Sequence, residues 1–221
     1  LATVKSNIYG GIYIYYKDHG GLNNWGIKKI ISVATTDTQS KSNLGWGISL
    51  NNGYVVGGSG LGKIYDENNV HITTGYLNIY KKDHGGSDNW GHIKRIENPD
   101  GKQSDYFGQN VLLKDDFLFV SAWNDSYGNN HHHNGTPGSM YIYQKDQGGT
   151  DNWGLVKKMT ENNATSGARF GNNFSYDNNN LLVSASFDNS NKGNLFLYGK
   201  DYDPLTPNDI SANAWGEIKK I

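Results

Sequence analysis

Four segments of the chain alternate apolar with other residues and end in a Lys-Asp pair. They read GIYIYYKD at residues 11–18, YLNIYKKD at 76–83, SMYIYQKD at 139–146 and NLFLYGKD at 194–201. Alternation with a period of two, carried by Tyr, Ile and Leu, is typical of β-strands. Each segment is therefore predicted to be a strand that ends near its Lys-Asp pair.

A Trp-Gly pair follows each of these strands at a nearly constant spacing. The pairs are Trp25-Gly26, Trp90-Gly91, Trp153-Gly154 and Trp215-Gly216, at intervals of 65, 63 and 62 residues. Directly or one residue later comes IKKI, IKRI or VKKM, in which apolar and basic residues alternate imperfectly. A short exposed strand paired with its predecessor has this composition. Each repeat is therefore predicted to contain a β-hairpin around its Trp-Gly pair.

Two further strands precede this hairpin in the three complete periods. They begin at Trp46, Phe107 and Phe170, and their polar turns lie at Asn51-Asn52-Gly53, Asp115-Asp116 and Asn178-Asn179. Asn, Asp and Gly tolerate the positive φ that tight hairpins require. Four strands in each period of about 63 residues, with no helical periodicity, predict an all-β protein built from four-stranded antiparallel β-propeller blades.

Short motifs recur where these strands begin and end. Phe107-Gly108 and Phe170-Gly171 open a blade, VSAW and VSAS end its second strand, and GSMYIY begins its third. In these motifs the chain resembles the FG-GAP repeat of integrin α-subunit propellers and of many microbial surface proteins. The first full period departs from the pattern, with Trp46-Gly47 in place of Phe-Gly and VVGG at the end of its second strand. The resemblance implies a propeller fold, whereas it says less about function.

The repeats divide the chain into blades of unequal completeness. Residues 1–31 form a partial blade with strands two to four, and 32–96, 97–159 and 160–221 form complete blades. About 3.75 blades are visible, whereas propellers of the resembled family usually have about seven. Three explanations remain open: a segment of a longer chain, which we favour, an edge completed by another chain, or a small four-bladed ring.

Composition restricts the classes of partner. The 221 residues carry a formal net charge of -1 and no Lys- or Arg-rich block, so nucleic acid is not expected as a partner. No apolar run approaches the roughly 18 residues that span a bilayer. The chain has no cysteine, which removes both a disulfide framework and a thiolate metal site.

Several repeated residues are interpreted as structural. One Trp per blade in a constant register indicates core or inter-blade packing rather than a stacking platform for sugars or bases. The Asp of each Lys-Asp pair is predicted to accept backbone hydrogen bonds in an Asx-turn rather than to bind metal. The structural repeat residues are Trp25, Trp90, Trp153, Trp215, Phe107, Gly108, Phe170 and Gly171, with Asp18, Asp83, Asp146 and Asp201 at the turns.

No cofactor is predicted, and calcium is not favoured. A calcium site needs about six to eight oxygen ligands, but the turns SLNNGY, LKDDF and YDNNNL are short and no D-x-D-x-D-G occurs. Adjacent histidines point in different directions, so one run rarely closes a metal site. The secondary metal candidates are His131 and His133 in NNHHHNG and Asp188 in DNSNKGN.

Catalysis is not predicted, because no G-x-S-x-G elbow, H-E-x-x-H helix or other registered constellation surrounds any Ser, His or Asp. Loops that leave second strands and loops that join blades emerge on one rim of a propeller, and they vary most in this chain, as binding loops do. The binding-loop candidates are Tyr65, His71, Tyr106, Trp123 and Tyr127. The N-x-[ST] glycosylation candidates are Asn124, Asn134, Asn163 and Asn173.

Two functions are compatible with these patterns. The first is a non-enzymatic, extracellular or cell-surface propeller for adhesion, which binds protein or glycan through its variable rim loops. The alternative is a structural subunit of a surface appendage or polymer, which self-associates through its open blade edge. The expected partners are accordingly an extracellular protein or glycan, another copy, or the continuation of a longer chain.

Overall fold

The computed structural model describes residues 2–3, 10–32, 43–65, 71–101, 104–125, 137–161, 167–201 and 214–221. Its strands are β1 (Ala2–Thr3), β2 (Gly11–Lys17), β3 (Trp25–Ser32), β4 (Ile48–Asn51), β5 (Tyr54–Ser59), β6 (Lys63–Tyr65), β7 (His71–Thr73), β8 (Tyr76–Lys82), β9 (Trp90–Glu97), β10 (Val111–Lys114), β11 (Phe117–Ala122), β12 (Ser139–Lys145), β13 (Trp153–Thr160), β14 (Phe170–Asp177), β15 (Asn180–Ala185), β16 (Asn194–Lys200) and β17 (Trp215–Lys220). A one-turn helix, α1 (Asp188–Asn191), is kinked by positive φ at Asn189 and Ser190. In these ranges, no helix has the length and apolar character needed to cross a bilayer.

The strands pair in chain order into four sheets. Sheet 1 is β1-β2-β3, sheet 2 is β4-β5-β8-β9, sheet 3 is β10-β11-β12-β13 and sheet 4 is β14-β15-β16-β17. Strands β6 and β7 form a separate hairpin within the connection from β5 to β8. The predicted all-β class and the four-stranded antiparallel blade are confirmed by sheets 2, 3 and 4.

The chain forms two compact units, Leu1–Asp115 and Asp116–Ile221. This division does not follow the blade boundaries expected from the repeats, which stay predictions. The tight turns inside the first hairpins contain the positive φ values expected from their sequences, at Asn52, Gly53, Asp115, Asn178 and Asn179. Local turn chemistry therefore sets where each of these hairpins reverses.

A β-bulge recurs between the third and fourth strands of all four sheets. The register shifts lie between Ile14 and Tyr15, Ile79 and Tyr80, Ile142 and Tyr143, and Leu197 and Tyr198. In each case the extra residue is the third after the repeated Trp. One extra residue moves the following side chains to the opposite face of the strand. The bulge thus explains why apolar and basic residues alternate imperfectly after each Trp-Gly pair.

In the first unit, sheets 1 and 2 pack face to face. We call the face of a sheet that carries its repeated Trp the tryptophan face, and the opposite face the acceptor face. The core contains Ile12, Ile14 and Ile31 from the acceptor face of sheet 1, with Val55, Tyr80 and Trp90 from the tryptophan face of sheet 2. Burial of these apolar side chains is the main force that holds the two sheets together.

The second unit repeats this arrangement with aromatic residues. The ring of Trp215, on the tryptophan face of sheet 4, lies 5.5 Å from that of Phe117 and 5.7 Å from that of Phe119, both on the acceptor face of sheet 3. Tyr176 lies 4.8 Å from Phe119. Such edge-on and tilted pairs each add about 0.5–1.5 kcal/mol to the stabilisation from buried area.

Trp25 departs from the burial predicted for the four repeated tryptophans. Trp90, Trp153 and Trp215 are 5%, 2% and 4% exposed, whereas Trp25 is 62% exposed. The reason is that no described part of the chain covers the tryptophan face of sheet 1. The packing prediction is therefore corrected at this position.

Candidate ligand-binding site

The turns between third and fourth strands have the same hydrogen bonds in sheets 1, 2 and 3. Oδ1 of Asp18, Asp83 and Asp146 accepts a bond from the backbone N–H five residues later, at 2.6, 2.6 and 2.7 Å. The prediction that these carboxylates accept backbone hydrogen bonds is confirmed, but the bond spans five residues instead of the two of an Asx-turn. Asp201 also has a positive φ and pairs with Lys200, and its turn continues outside the described residues.

Buried aspartates lie three residues after the second strands of sheets 3 and 4. Asp125 forms an ion pair with Lys158, with Oδ2 to Nζ at 2.6 Å, and accepts a bond from the Tyr141 hydroxyl at 3.1 Å. Asp188 pairs with Lys220 at 3.3 Å and accepts a bond from Nδ2 of Asn194 at 2.6 Å. A buried charge is tolerated when it is paired in this way. These contacts stabilise both buried carboxylates, and Oδ1 of Asp125 remains buried without a hydrogen-bond partner among the described residues.

The metal candidates stay untested predictions. The described ranges contain no group of three or more His, Asp or Glu side chains that could hold a metal ion, so Asp188 belongs to none. His131 and His133 lie outside the described residues.

One backbone position has the same unusual conformation before three of the blade openings. The residue that immediately precedes Trp46, Phe107 and Phe170 has a positive φ: 100° at Gly45, 57° at Tyr106 and 58° at Arg169. The carbonyl groups of Tyr106 and Arg169 each accept a bond from the N–H three residues later, at 3.1 Å. Glycine adopts this conformation freely, but a bulky residue there costs about 1–2 kcal/mol. Tyr106 and Arg169 are thus held against the preference of their own backbone.

In the first unit, Tyr106 stacks on the ring of Trp46. The ring centres are 6.3 Å apart and the planes differ by 27°. Both side chains are partly exposed. Two adjoining aromatic rings that keep a solvent-accessible face are a common platform for ligands with apolar surfaces.

In the second unit, the guanidinium of Arg169 lies on two aromatic rings. Its central carbon is 4.0 Å from the ring centre of Phe187 and 4.9 Å from that of Trp123. Phe187 is 41% exposed. The backbone N–H of Phe187 donates to the carbonyl of Ala168 at 3.0 Å, which fixes the loop after β15 beside Arg169. We call Trp123, Arg169 and Phe187 the arginine cluster.

The arginine cluster has the chemistry of an anion-binding site. Arg169 makes two cation–π contacts of about 0.5–2 kcal/mol each, which together offset the cost of its positive φ. Among the described residues no carboxylate forms an ion pair with Arg169, whereas Asp125 and Asp188, which lie close in sequence to Trp123 and Phe187, are paired with lysines. A guanidinium whose faces contact rings still has its planar N–H edge for a carboxylate, sulfate or phosphate.

Titratable groups on third and fourth strands have shifted pKa values with structural causes. Burial lowers the pKa of His92, and the positive charge of Arg95 lowers it further. Burial raises the pKa of Glu217, and the nearby carboxylate of Glu161 adds to this. Burial also raises the pKa of Tyr80 to about 12. These shifts follow from the packing of the blades and do not single out a catalytic acid or base.

The predicted binding-loop residues belong to three described features. Tyr65 and His71 are paired in the register of the β6–β7 hairpin. Tyr106 belongs to the stacked pair and Trp123 to the arginine cluster. Tyr127 lies outside the described residues, and the role of these candidates in binding stays a prediction.

Two of the sequons are described. Asn124 is partly buried and follows β11, and Asn173 is exposed on β14, where its N–H donates to the Ser184 hydroxyl at 3.1 Å. Asn134 and Asn163 lie outside the described residues. Their use as glycosylation sites stays a prediction.

Three residues of these clusters were not anticipated from the sequence: Trp46, Arg169 and Phe187. Trp46 was recognised only as a departure from Phe-Gly. A signal for Arg169 does exist, because it aligns with Gly45 in the residue before the blade opening, where a large side chain is unexpected. Nothing in the sequence places Phe187 beside it, because their contact depends on the fold of sheet 4.

Comparison with known proteins agrees with this geometry. The model of the FG-GAP repeat matches residues 90–143 and 153–198. No curated protein matches the chain significantly. Each matched segment begins at a Trp-Gly pair and contains the Phe-Gly opening and the second strand that follow it. The chain therefore carries two FG-GAP repeats, at residues 90–143 and 153–198.

Proposed function

We propose that this chain is a non-enzymatic binding module of an extracellular or cell-surface protein, and that it mediates adhesion to protein or glycan ligands through the rim of its blades. The observation that carries the proposal is the arginine cluster, where Arg169 occupies a backbone position suited to glycine. Glycine would adopt this φ without that cost, so the contacts and the charge of the side chain, rather than the backbone, account for an arginine at this position. A ligand that pairs with the positive charge of the guanidinium gives the Arg169 side chain a function in binding.

The chemistry of the cluster favours ligands with an anionic group on an apolar or sugar-like body. The guanidinium edge binds a carboxylate or sulfate in two parallel hydrogen bonds. The exposed ring of Phe187 offers an apolar surface beside it. FG-GAP repeats occur in many surface proteins, which supports the location as well as the binding role.

Binding of the 221-residue chain to immobilised acidic glycans, neutral glycans and acidic peptides tests the proposal. Arg169→Gln should weaken binding of anionic ligands about tenfold, the loss of one charge-assisted hydrogen bond pair. Arg95→Gln is the matched control, because Arg95 also stacks on a ring, 3.7 Å from the centre of Tyr76, but is already paired with Glu97 at 3.0 Å. Binding that is equal in wild type and Arg169→Gln, or absent throughout, would refute the proposal.

A second candidate function is assembly into a surface polymer. The observation that favours it is in sheet 1, where, among the described residues, β1 pairs with β2 on one side, whereas sheets 2, 3 and 4 have a further strand at this edge. An unpaired strand edge is a template for pairing with another chain. Concentration-dependent growth of assemblies would support this function, and a monomer at all concentrations would exclude it.

A further inference from the structure

We infer that Trp46 and Tyr106, in the first unit, form a second binding site, which takes an uncharged sugar ring. The inference rests on the binding function proposed above and adds a ligand class that the arginine cluster does not serve. The two sites belong to different compact units and differ in chemistry, so each is testable without the other.

Two backbone turns of the same kind supply the two rings. The N–H of Trp46 donates to the carbonyl of Asn43 at 3.2 Å, and the N–H of Gln109 donates to the carbonyl of Tyr106 at 3.1 Å. Trp46 thus ends one turn, and Tyr106 begins the other. Their ring centres lie 6.3 Å apart with planes 27° from parallel, so the rings stack with an offset and fix each other's orientation.

Trp46 does not fill the core of the first unit. Leu44, two residues earlier, is 2% exposed and belongs to the core between sheets 1 and 2. Phe107 and Phe170, which open the next two blades, are fully buried, whereas Trp46 is partly exposed. A large aromatic side chain that the core does not require, and that keeps contact with water, is suited to binding a ligand.

Gly60 helps to hold the indole ring in place. A β-carbon on Gly60 would lie 2.8 Å from Cε3 of Trp46 and 3.1 Å from Cβ of Gln109. The backbone of Gly60 therefore lies against the six-membered part of the indole, where a larger residue would displace the ring. With Tyr106 as a second contact, the ring is positioned before a ligand arrives, which lowers the entropic cost of binding.

The residues around the rings favour an uncharged ligand that forms hydrogen bonds. Gln109 begins beside the indole, and its amide group has both donors and an acceptor. Asp105, which precedes Tyr106, is fully buried, and its Oδ2 accepts a bond from Nδ2 of Asn98 at 2.6 Å. The charge of Asp105 is therefore held inside the protein and does not face a ligand on the rings.

A pyranose ring has the matching chemistry. Its C–H groups carry a small positive charge, and the faces of aromatic rings are negative, so a sugar stacks on such a face. Its hydroxyl groups donate and accept hydrogen bonds, as an amide does. An acidic ligand gains no ion pair from Trp46, Tyr106 or Gln109, because none of them carries a positive charge.

Binding of the 221-residue chain to immobilised neutral oligosaccharides of glucose, galactose, mannose or N-acetylglucosamine tests the site. Wild type should bind at least one of them. Trp46→Leu keeps an apolar side chain but removes the ring, so it should weaken this binding about tenfold, the loss of one stacking contact. Trp46→Phe keeps a ring and should lose less. Unchanged thermal unfolding of both variants establishes that they remain folded.

Trp25→Leu is the matched control, because Trp25 is also an exposed tryptophan of the first unit, at 62%, but stacks on no ring among the described residues. It should bind neutral sugars like wild type. Equal losses in Trp25→Leu and Trp46→Leu would show nonspecific stacking and overturn the site. A Tyr- and Pro-rich peptide is the second probe, and a loss in Trp46→Leu for this peptide alone would also overturn it.

Arg169→Gln separates this inference from the proposed function. It should weaken binding of acidic ligands and leave neutral sugars unaffected, whereas Trp46→Leu should do the reverse. Acidic ligands that depend on Arg169, with neutral sugars that do not bind or do not depend on Trp46, would overturn the sugar site alone. Neutral sugars that depend on Trp46, with no effect of Arg169→Gln, would overturn the role of the arginine cluster alone. No binding of any ligand would overturn both.

Discussion

A β-carbon on Gly91 would lie 2.3 Å from the carbonyl oxygen of His84. The same close approach joins Gly26 to His19 and Gly154 to Gln147, at 2.2 and 2.5 Å. The glycine of these three Trp-Gly pairs is thus required by the backbone of the preceding turn, which folds over the start of the fourth strand.

Gly91→Ala should lower the free energy of unfolding by about 1–3 kcal/mol, because the added methyl group collides with backbone that cannot move freely. The control is Gly86→Ala in the same turn, where no atom lies within 4 Å of the added carbon and only the φ of 128° opposes it. Its loss should be about 1 kcal/mol. Urea unfolding measures both, and a smaller loss for Gly91→Ala would contradict the steric explanation.

Lys158→Met should destabilise the chain by about 3 kcal/mol, because it leaves the Asp125 carboxylate buried without its ion-pair partner. Lys157→Met, at the exposed neighbouring position, should change stability by less than about 0.5 kcal/mol. Adding Asp125→Asn to Lys158→Met should recover much of the loss. Thermal unfolding of wild type, the single variants Lys158→Met, Asp125→Asn and Lys157→Met, and the double variant tests this, and additive losses in the double variant would argue against coupling of the pair.

Arg169→Gly should be more stable than Arg169→Ala by about 1 kcal/mol. Both variants lose the contacts with Trp123 and Phe187, but only alanine retains a β-carbon at a φ of 58°. The difference in their denaturant midpoints therefore reports the backbone strain alone. If alanine is the more stable of the two, the argument that Arg169 is present for binding loses its basis.

Stability should fall as the pH is lowered from about 7 to 5, in part because of His92. Burial and Arg95 hold the pKa of His92 below its ordinary value of 6.5, so the unfolded chain binds a proton before the folded chain does. The contribution of neutral His92 is therefore present above the unfolded pKa and lost as the pH falls through the folded one.

His92→Gln removes the ionisation and keeps a polar partner for Oδ1 of Asn78, which lies 3.1 Å from Nε2 of His92. As the pH is lowered from 7.5 to 5, the melting temperature of wild type should fall more than that of His92→Gln. A difference that is constant over this range would show that His92 does not contribute to the acid sensitivity.

The arginine cluster illustrates where sequence reasoning ends. Trp123 was selected because it follows a second strand, and Tyr106 because it precedes a blade opening, both of which are local features. Arg169 also directly precedes a blade opening, as Tyr106 does. Its proposed role in ligand binding, however, rests on its positive φ and on its contacts with two rings from separate loops. A contact between residues distant in sequence is decided by packing, which the strand pattern does not encode.

The sequence by itself determined the strands, the hairpins, the period and the Asp-stabilised turns, because alternation of apolar residues and turn preferences act over a few neighbouring residues. The recurring bulge was visible only as imperfect alternation. Tertiary structure alone decided that three of the repeated tryptophans are buried and that Trp25 is exposed, although all four share one motif. The physical reason is that burial depends on whether another sheet covers the face, and that is a property of the neighbour rather than of the motif.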